Sequence, residues 1–468
     1  MYNVPQHVDG NKIFLIQRSE INGRLDPKMA LYNKSVQHAL YPMVKLKNLL
    51  LSKPQYGANE AGIVRENNTQ PRYIRITDID ENGLIDTNGL GATVANVEEK
   101  YILHKDDILI ARSGATVGKS YIHRELPYTC LYAGYLIRFL VNPDRLLPEY
   151  LFTYTQLSPY KEWVNAFQRP SGQPNINAEE YQSLEIPLPP SDIQNKIVSI
   201  IQTAYSKKQE RELEAQQLLE SIDEYLFNEL GVSLPEIRDE LKDRMFLLNR
   251  SELEGRFDPT VYKDGIKLIS PKWGNVKLSK VAFVNPGGAY KGENFGTPIS
   301  FVPMEVIDER FSEITTMGET TIEQSSGFTK FREGDLLWAK ITPCMQNGKS
   351  ALAKNLTNGL GCGSTEFFVL RPKDERLAIE YLHVILHMKC VRETAMLYFG
   401  GSAGQQRVSS SFLENFNLPL PPKEKQVEIA QHVYKMRQQA KALQEEGKAI
   451  LEQAKREVEE MILGTSLT

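Results

Sequence analysis

Apolar residues recur at steps of three and four along two segments, which predicts two long amphipathic helices. The first helix is expected over about 191–230 and the second over about 423–463. Each segment follows a Pro-Leu-Pro-Pro run, and proline fits the first turn of a helix. The apolar stripes consist of Ile193, Ile197, Ile200, Leu218 and Ile222 in the first helix and of Ile429, Val433, Met436, Leu443, Ile450 and Val458 in the second.

The two stripes predict that the long helices pack against each other. A helix of this length extends about 60 Å, which is too long to bury its stripe on one globular domain. An antiparallel coiled coil with a globular domain at each end solves this problem within one chain. The alternative is two independent helical arms that each bind another protein.

Short apolar runs separated by Gly, Asn and Asp predict strands and turns in the rest of the chain. Amphipathic helices are expected over about 148–156 and 377–388. The class is therefore α+β, without the regular alternation of a doubly wound sheet. The predicted strands are Tyr73–Ile76, Ile108–Arg112, Gly134–Leu140, Leu336–Lys340 and Glu366–Leu370.

The chain contains an internal duplication. Residues 12–27 and 244–259 agree at nine of sixteen positions, and the two segments are 232 residues apart. The same offset relates Ile186–Pro190 to Leu418–Pro422. The ends of the two halves agree while their middles differ, which predicts two copies of one frame with pseudo-two-fold symmetry and a distinct middle in each.

The repeat divides the chain into predicted segments. The globular domains are 1–190 and 244–422, the long helices are 191–230 and 423–463, a linker covers 231–243 and a tail covers 464–468.

Composition narrows the class of protein. The chain has 468 residues, 55 Lys and Arg, and 59 Asp and Glu, so its formal charge of −4 argues mildly against a stand-alone nucleic-acid binder. Four scattered cysteines without a C-x-x-C pair favour a reducing, cytoplasmic compartment over a disulfide or zinc framework. We expect no membrane span, because no run of about 18 apolar residues is present. We expect no signal peptide, because Met1–Gln17 lacks a basic segment followed by a long apolar core.

Motifs for catalysis are incomplete. Gly118-Lys119-Ser120 lacks the glycine spacing of a phosphate-binding loop, so a turn between strands is expected. His383 and His387 have the spacing of zinc ligands but no glutamate after the first histidine, which favours ordinary core or surface histidines. We therefore predict a chain without an active site or a bound metal.

Two globular domains, each followed by a long helix that opens with P-L-P-P-x-x-x-Q-x-x-I, resemble a known family. Ile186–Ile197 and Leu418–Ile429 carry this pattern, together with Asp107–Arg112 and Gly118–Ser120. The pattern is similar to that of the specificity subunits of type I restriction–modification systems.

The resemblance implies a DNA-binding role without catalysis. Each globular domain would be a target-recognition domain for one half of a bipartite, asymmetric double-stranded DNA site. The helices would set the spacing and dock two modification (methyltransferase) subunits. No cofactor is expected on this chain: S-adenosylmethionine would belong to the methyltransferase, and ATP and magnesium to restriction (motor) subunits.

Polar residues on glycine-containing loops after strands are the predicted DNA contacts, because Arg, Lys, Gln and Asn supply donors to bases and phosphates. In the first half these are Arg72, Arg75, Arg112, Ser113, Thr116, Lys119, Arg169 and Gln173. In the second half they are Lys340, Thr342, Gln346, Asn347, Lys349, Gln405, Gln406 and Arg407.

Other functions stay open from the sequence. The chain could be the specificity subunit of a related methylation-based defence system, of type IIB or of the phage-exclusion kind. It could be a coiled-coil interaction scaffold that does not bind DNA. An NTPase that uses Gly118–Ser120, or a cryptic nuclease, is the enzymatic alternative.

Overall fold

The structure, a computed structural model, describes residues 27–36, 39–168, 174–232, 265–401 and 405–464. Residue contacts divide the chain into two units. Unit 1 comprises Met1–Glu210 and Glu446–Thr468, and unit 2 comprises Arg211–Glu445. The duplicated segments 12–27 and 244–259 lie outside the described residues, apart from Pro27.

The described residues of unit 1 form two four-stranded sheets and one two-stranded ribbon, in the orders β2-β9-β6-β7, β3-β5-β4-β8 and β1-β10. The strands are β1 Met43–Lys45, β2 Gln55–Tyr56, β3 Ile63–Val64, β4 Arg72–Ile74, β5 Ala92–Thr93, β6 Ile108–Ala111, β7 Ser120–Ile122, β8 Cys130–Tyr132, β9 Leu136–Phe139 and β10 Glu185–Pro187. The short α-helices are Pro27–Ser35, Pro148–Tyr154, Ser158–Phe167 and Ala178–Gln182, and 3-10 turns lie at Leu46–Leu49, Ile76–Asp78, Glu99–Tyr101 and Gly114–Thr116.

Unit 2 contains the sheets β12-β21-β18-β19 and β16-β13-β20-β17 and the ribbons β11-β24, β14-β15 and β22-β23. The strands are β11 Asn275–Lys277, β12 Ala282–Val284, β13 Pro298–Val302, β14 Ile307–Asp308, β15 Glu313–Ile314, β16 Gly318–Thr321, β17 Thr329–Arg332, β18 Leu336–Ala339, β19 Ser350–Leu352, β20 Leu360–Gly363, β21 Phe367–Pro372, β22 Phe399–Gly400, β23 Arg407–Val408 and β24 Asn417–Pro419. The short α-helices are Leu278–Val281, Ile379–His387, Lys389–Met396 and Ser410–Asn415, and 3-10 turns lie at Met304–Val306, Glu323–Ser325 and Thr357–Gly359.

The two units share one topology. The sheet β2-β9-β6-β7 and the sheet β12-β21-β18-β19 have the same strand order, with all pairs antiparallel. In the second sheet of each unit one parallel pair, β4 with β8 or β13 with β20, is flanked by an antiparallel neighbour, β5 or β16. Unit 1 adds β3 at one edge, whereas unit 2 adds β17 at the other. The predicted duplication is therefore a duplication of fold.

The ribbon that precedes each long helix follows the repeat residue by residue. Met43 pairs with Pro187 in unit 1, and Asn275 pairs with Pro419 in unit 2, both at the 232-residue offset. Each ribbon is fixed by a buried tyrosine, because the Tyr150 hydroxyl donates to the Pro187 carbonyl at 2.8 Å. The Tyr381 hydroxyl makes the equivalent bond to the Pro419 carbonyl at 2.8 Å.

A buried glutamine joins each long helix to its globular segment. Gln194 Oε1 accepts from the Leu147 amide at 2.9 Å, and its Nε2 donates to the Arg145 and Pro189 carbonyls. Gln426 makes the same three bonds, to the Ala378 amide and to the carbonyls of Arg376 and Pro421. The glutamine of the P-L-P-P-x-x-x-Q pattern therefore satisfies three backbone groups at a helix start.

Replacement of this glutamine is expected to destabilise its unit. Gln426→Ala leaves one N–H and two carbonyls without partners, which we expect to cost about 2–3 kcal/mol. Gln194→Ala should cost a similar amount in unit 1, because its bonds are the same. Urea unfolding of the full chain, followed by hydrogen exchange in each unit, measures both losses. The exposed Gln438 on the same helix provides the control, and an effect of Gln438→Ala as large as that of Gln426→Ala would contradict this role.

The long helices run over Ser191–Leu230 and Lys423–Leu463, the ranges that the sequence predicts. In unit 2 the end of the first helix packs on the start of the second. The Tyr225 and His432 rings lie 4.3 Å apart, and Glu229 forms an ion pair with Lys425 at 2.8 Å. Because the contact moves forward on one helix as it moves back on the other, the two helices are antiparallel there.

The apolar stripes pack in hydrophobic clusters that the long helices share with the globular segments. In unit 1 the stripe residues Ile197 and Val458 belong to one core cluster, with Ile193, Ile200 and Ile450 packed at its edge. In unit 2 a second cluster contains Ile222, Ile429, Val433 and Met436, with Leu218 at its edge. Leu443 is half-buried. Each fully buried aliphatic side chain contributes about 1.5–3 kcal/mol.

These observations confirm the predicted α+β class, the duplicated domains and the coiled-coil packing. Some predicted strand ends differ by two or three residues. Gly134 and Tyr135, for example, form a turn before β9, because the Leu136 amide donates to the Ala133 carbonyl. Within the described part of the chain, no helix combines the length and apolar content needed to cross a membrane.

Candidate nucleic-acid interface

The central strand of the first sheet ends in a cation in both units. Arg112 follows β6, and Lys340 follows β18. The Arg112 amide donates to the Tyr135 carbonyl at 3.0 Å, and the Arg112 carbonyl accepts from the Ile176 amide at 2.8 Å. These two bonds attach the end of β6 to two other loops.

Lys340 has the same backbone environment. Its amide donates to the Glu366 carbonyl at 2.9 Å, and its carbonyl accepts from the Val408 amide at 2.9 Å. Ile176 and Val408 are related by the 232-residue offset of the repeat. Arg112 and Lys340, Tyr135 and Glu366, and Ile176 and Val408 are therefore equivalent pairs of positions.

Three loops meet at this point in each unit, and we call the meeting points the first and second junctions. The first junction comprises residues 112–116, 135 and 174–176, where Ser113 and Asn175 form an isolated bridge. The second comprises residues 340–346, 366 and 405–408, where Ile341 and Arg407 form the equivalent bridge. In the second half the structure therefore brings the predicted polar residues after β18 together with Gln405, Gln406 and Arg407.

Aromatic side chains support the cation of the first junction. The Arg112 guanidinium lies 4.9 Å from the centre of the Tyr56 ring, within the range of a cation–π contact. Tyr56 is fixed by its hydroxyl, which accepts from the Ala178 amide at 3.0 Å. Tyr135 is 58% exposed beside them. Ser113 and Thr116 belong to the same loop, with the Thr116 hydroxyl 3.4 Å from the Ser113 carbonyl.

The second junction is more strongly charged. The Arg407 guanidinium binds the Glu366 carboxylate through Nε at 2.9 Å and through Nη2 at 2.8 Å. This contact lowers the pKa of Glu366, chiefly through the hydrogen bonds from Arg407. The Lys340 ammonium lies 5.6 Å from the centre of the Phe368 ring.

The remaining polar residues of the second junction are held in its loops. The Thr342 amide donates to the Gln406 carbonyl at 3.0 Å, and the Thr342 hydroxyl contacts the side chain of Gln346. Gln405 is exposed, and its carbonyl accepts from Arg407 at 2.9 Å. Asn347, just after the junction, donates to Glu309 at 3.2 Å.

The glycine-lysine-serine segments form turns between antiparallel strands, as the sequence predicts. Gly118 joins β6 to β7 and Gly348 joins β18 to β19, with φ values of +87° and +86°. A side chain at either glycine would be strained in this left-handed region and would overlap Val164 or His387. Lys119 donates to the Ile79 carbonyl, and Lys349 donates to the Met304 carbonyl at 3.2 Å. Both lysines therefore brace the turn.

Two other predicted contacts, Arg72 and Arg75, lie in β4 and just after it. Arg72 is 2% exposed, and its guanidinium donates to the Tyr128 hydroxyl at 3.1 Å. Arg75 is partly exposed and forms a bidentate ion pair with Asp78. Because the Arg72 guanidinium lies in the interior, it is not placed to contact DNA. Arg169 and Gln173 lie outside the described residues.

Comparison with known proteins identifies the duplicated unit. The family described as the type I restriction modification DNA specificity domain matches residues 61–221 and 272–453, which together are more than half of the chain. The chain belongs to this family. The two matches fall one in each half, as the internal duplication requires.

Individual relatives agree with this assignment. The chain is 38% identical over 164 residues to the type I restriction enzyme EcoEI specificity subunit of Escherichia coli, a match that covers 34% of this chain and 26% of that protein. It is 23% identical over 372 residues to the EcoKI specificity subunit of Escherichia coli strain K12, covering 77% of this chain and 74% of the relative. The match to the EcoEI subunit thus spans about a quarter of that protein.

A solved chain has the same fold. It comes from work on complex assembly and conformational transition of the type I R-M system. The match has a TM-score of 0.51 at 18% sequence identity and covers 91% of this chain and 96% of the solved chain.

Sequence reasoning missed several residues at the junctions of these specificity domains. Tyr56, Tyr135, Asn175 and Glu366 were not predicted as site residues, although Tyr135 and Glu366 lie in predicted strand segments. The repeat offset could have identified Asn175, because it is 232 residues before Arg407. No repeat offset or motif pointed to Glu366, since an acidic residue is a poor candidate for DNA contact until its arginine partner is known.

Three other reactive side chains of the specificity domains, His383, Cys130 and Cys390, are buried. Burial lowers the pKa of His383 to about 3, and its Nε2 lies 3.1 Å from the Ser350 hydroxyl. Burial also raises the pKa of Cys130 to about 11 and that of Cys390 to about 12. Among the described residues, no group of three or more His, Cys, Asp or Glu is arranged to hold a metal ion.

Proposed function

We propose that this chain is the DNA specificity subunit of a type I restriction–modification complex. Each globular domain would bind one half of a bipartite, asymmetric double-stranded DNA site. One observation carries the proposal: two copies of one frame present different side chains at equivalent positions of their junctions. A backbone architecture that is the same in both domains suits binding of two identical modification subunits. Junctions with different side chains suit recognition of two different DNA half-sites.

The two junctions are the proposed DNA contact surfaces. Arg112, Ser113 and Thr116 would act in the first domain, together with Arg75 and Lys119. In the second domain the proposed contacts are Lys340, Thr342, Gln346, Asn347, Lys349, Gln405, Gln406 and Arg407. Contacts to phosphates would fix the position of the domain on the duplex, and a few side chains would contact base edges. Lys119 and Lys349 each donate to a backbone carbonyl, which holds their ammonium groups in place. Cations held in this way suit contact with phosphates rather than with base edges.

The catalytic steps would take place on partner subunits. Two modification subunits would carry S-adenosylmethionine and methylate adenine, and restriction subunits would use ATP and magnesium. Because the stripe residues such as Ile197, Ile429 and Val458 are buried within the units, partners would dock on other faces of the long helices. Basic partner surfaces would also offset the chain's net charge of −4 in DNA binding. A cytoplasmic location goes with this proposal.

A graft within the chain tests the proposed function. Residues 288–412 would replace residues 60–180, so that the chain carries the second recognition segment twice. Methylome sequencing of cells that express the chain with its methyltransferase should give a split N6-methyladenine motif for the unaltered chain. The graft should give a motif whose two halves are copies of each other, because both domains then present the same junction.

The reciprocal graft, with residues 60–180 in place of 288–412, is the matched control and should duplicate the other half-site. Co-purification of each graft with the methyltransferase establishes that the complex assembles. An assembled graft with an unchanged motif would refute recognition by these segments. A methylome that does not change when the whole chain is deleted would favour a scaffold without a DNA role.

A further inference from the structure

We propose that Arg407, held in place by Glu366, contacts a guanine in the half-site of the second domain. The inference rests on the proposed function and assigns one base contact within it. In the first domain Asn175 and Tyr135 occupy the equivalent positions, so the same place in the frame would specify a different base there. The pair Arg407–Glu366 and its equivalent would then be one source of the asymmetry of the site.

The hydrogen bonds of Arg407 leave a pair of donors for a base. A guanidinium has five N–H groups. Glu366 takes the Nε donor and one Nη2 donor, and the Gln405 carbonyl takes one Nη1 donor at 2.9 Å. One N–H remains on each terminal nitrogen. Guanine presents two acceptors, O6 and N7, in the major groove, and arginine is their commonest specific partner.

The position of the pair suits contact with a large partner. The Arg407 side chain is 43% exposed, whereas that of Glu366 is 21% exposed. The carboxylate therefore lies behind the guanidinium and orients it from the protein side. An arginine that is already fixed loses less conformational entropy on binding than a mobile one does. Glu366 is thus a positioning residue for Arg407.

The backbone under the pair is fixed by the frame of the repeat. Arg407 belongs to β23, where it pairs with Gly400, and it bridges Ile341. The Glu366 carbonyl accepts from the Lys340 amide at 2.9 Å. Asn175 bridges Ser113 in the same way, and the Tyr135 carbonyl accepts from Arg112. The backbone positions of Arg407 and Glu366 therefore match those of Asn175 and Tyr135, and only the side chains differ.

The first domain offers different chemistry at this place. Asn175 is exposed and carries a carboxamide, the group that pairs with adenine N6 and N7 rather than with guanine. Tyr135 lacks the carboxylate with which Glu366 orients a guanidinium. A guanine preference is therefore not expected from Asn175 and Tyr135.

A purely structural ion pair is the competing explanation. An exposed pair of this kind stabilises a protein little, and its removal would not change which DNA sequence is methylated. Base preference is therefore the readout that separates the two explanations, because folding stability would barely change under either.

The test compares variants of the full chain in complex with the methyltransferase. The motif of the unaltered chain is determined by methylome sequencing, and the grafts of residues 60–180 and 288–412 assign each half-site to its domain. Binding of the complex is then measured on duplexes that carry each base substitution in turn. The variants are R407A, R407K and E366Q.

R407A is expected to lose roughly 10- to 100-fold of discrimination at one guanine of the second half-site, with the first half-site unchanged. R407K should lose most of it as well, because an ammonium cannot make the paired contact. E366Q should lower discrimination at the same base pair and nowhere else. R376A is the matched control, since Arg376 forms an exposed bidentate pair with Asp374 in the same unit.

The converse change adds the pair to the first domain. In Y135E/N175R the first half-site should acquire a guanine preference at one position. An unchanged motif for R407A, or a loss that is uniform over all substituted duplexes, overturns the inference. If the unaltered chain gives no bipartite motif at all, the proposed function itself has failed, so the two failures are distinguishable.

Discussion

Asp335→Ala is expected to destabilise unit 2 by about 3 kcal/mol, because it breaks an ion pair at the base of the central strand. The Asp335 carboxylate is 1% exposed and binds the Arg371 guanidinium through Nε at 2.6 Å and Nη2 at 2.7 Å. It also accepts from the Arg332 amide at 2.8 Å. The substitution leaves the Arg371 guanidinium and the Arg332 amide without this partner, and Arg371 rehydrates only in part, since its side chain is 25% exposed. Urea unfolding with hydrogen exchange in β18 and β21 measures the loss.

The equivalent pair in unit 1 provides the internal comparison. Asp107 contacts Arg138 through one bond at 3.3 Å, while Arg138 also donates to the Ile102 carbonyl at 2.9 Å and to the side chain of Gln55. Asp107→Ala is therefore expected to cost about 1–2 kcal/mol, less than Asp335→Ala. The double variant D335A/R371A should recover part of the loss, because it removes the unpaired cation. An equal loss for Asp335→Ala and Asp107→Ala would contradict the assignment of the cost to the bidentate pair.

The sequence predicted the long helices and the central strands well, because the pattern that predicts each of them occurs twice in the chain. The repeated Pro-Leu-Pro-Pro runs and the apolar periodicity located both long helices. The likeness of Asp107–Arg112 to Asp335–Lys340 located both central strands. Repeated local patterns are informative because each copy is independent support for one structure.

The junctions were only half predictable from the sequence. The polar loops after the central strands and the segment with Gln405–Arg407 are local features, and both were found. Their meeting depends on backbone bonds between residues far apart in the chain, such as that from Val408 to Lys340. Glu366 and Tyr135 become candidate site residues only because these tertiary contacts place them at the junctions. Burial of Arg72 likewise follows from tertiary packing, which composition and local pattern do not encode.

The repeat also explains how the two units can carry different side chains at their junctions. The turns at Gly118 and Gly348, the buried Gln194 and Gln426, and the tyrosine-bound ribbons use the same chemistry in both halves. With this frame fixed, substitutions at positions 135, 175, 366 and 407 can change the surface without moving the backbone. A duplicated domain can thus acquire two recognition preferences from one architecture.

Acid is expected to destabilise unit 2 through a buried histidine. Burial and, to a smaller extent, the nearby cations Arg437 and Lys354 lower the pKa of His383 to about 3, whereas a histidine in the unfolded chain has a pKa near 6.5. Between these pKa values the unfolded state binds more protons than the folded state, so stability falls as pH falls from about 6.5 toward 3. The loss from His383 between pH 7 and pH 4.5 is about 2 kcal/mol. Urea unfolding over this pH range, with hydrogen exchange in Ile379–His387, measures it.

The control must stay within unit 2, because unit 1 contains His123, whose pKa burial lowers to about 4 and whose effect has the same sign. His383→Gln keeps a polar atom within reach of the Ser350 hydroxyl but cannot bind a proton. This variant should lose about 2 kcal/mol of the acid dependence in unit 2 and keep that of unit 1. His387, whose pKa is also lowered by burial, accounts for acid dependence that persists in His383→Gln and is removed in the double variant. An acid dependence that is the same with and without both histidines would show that other groups, the carboxylates first, control the unfolding of unit 2.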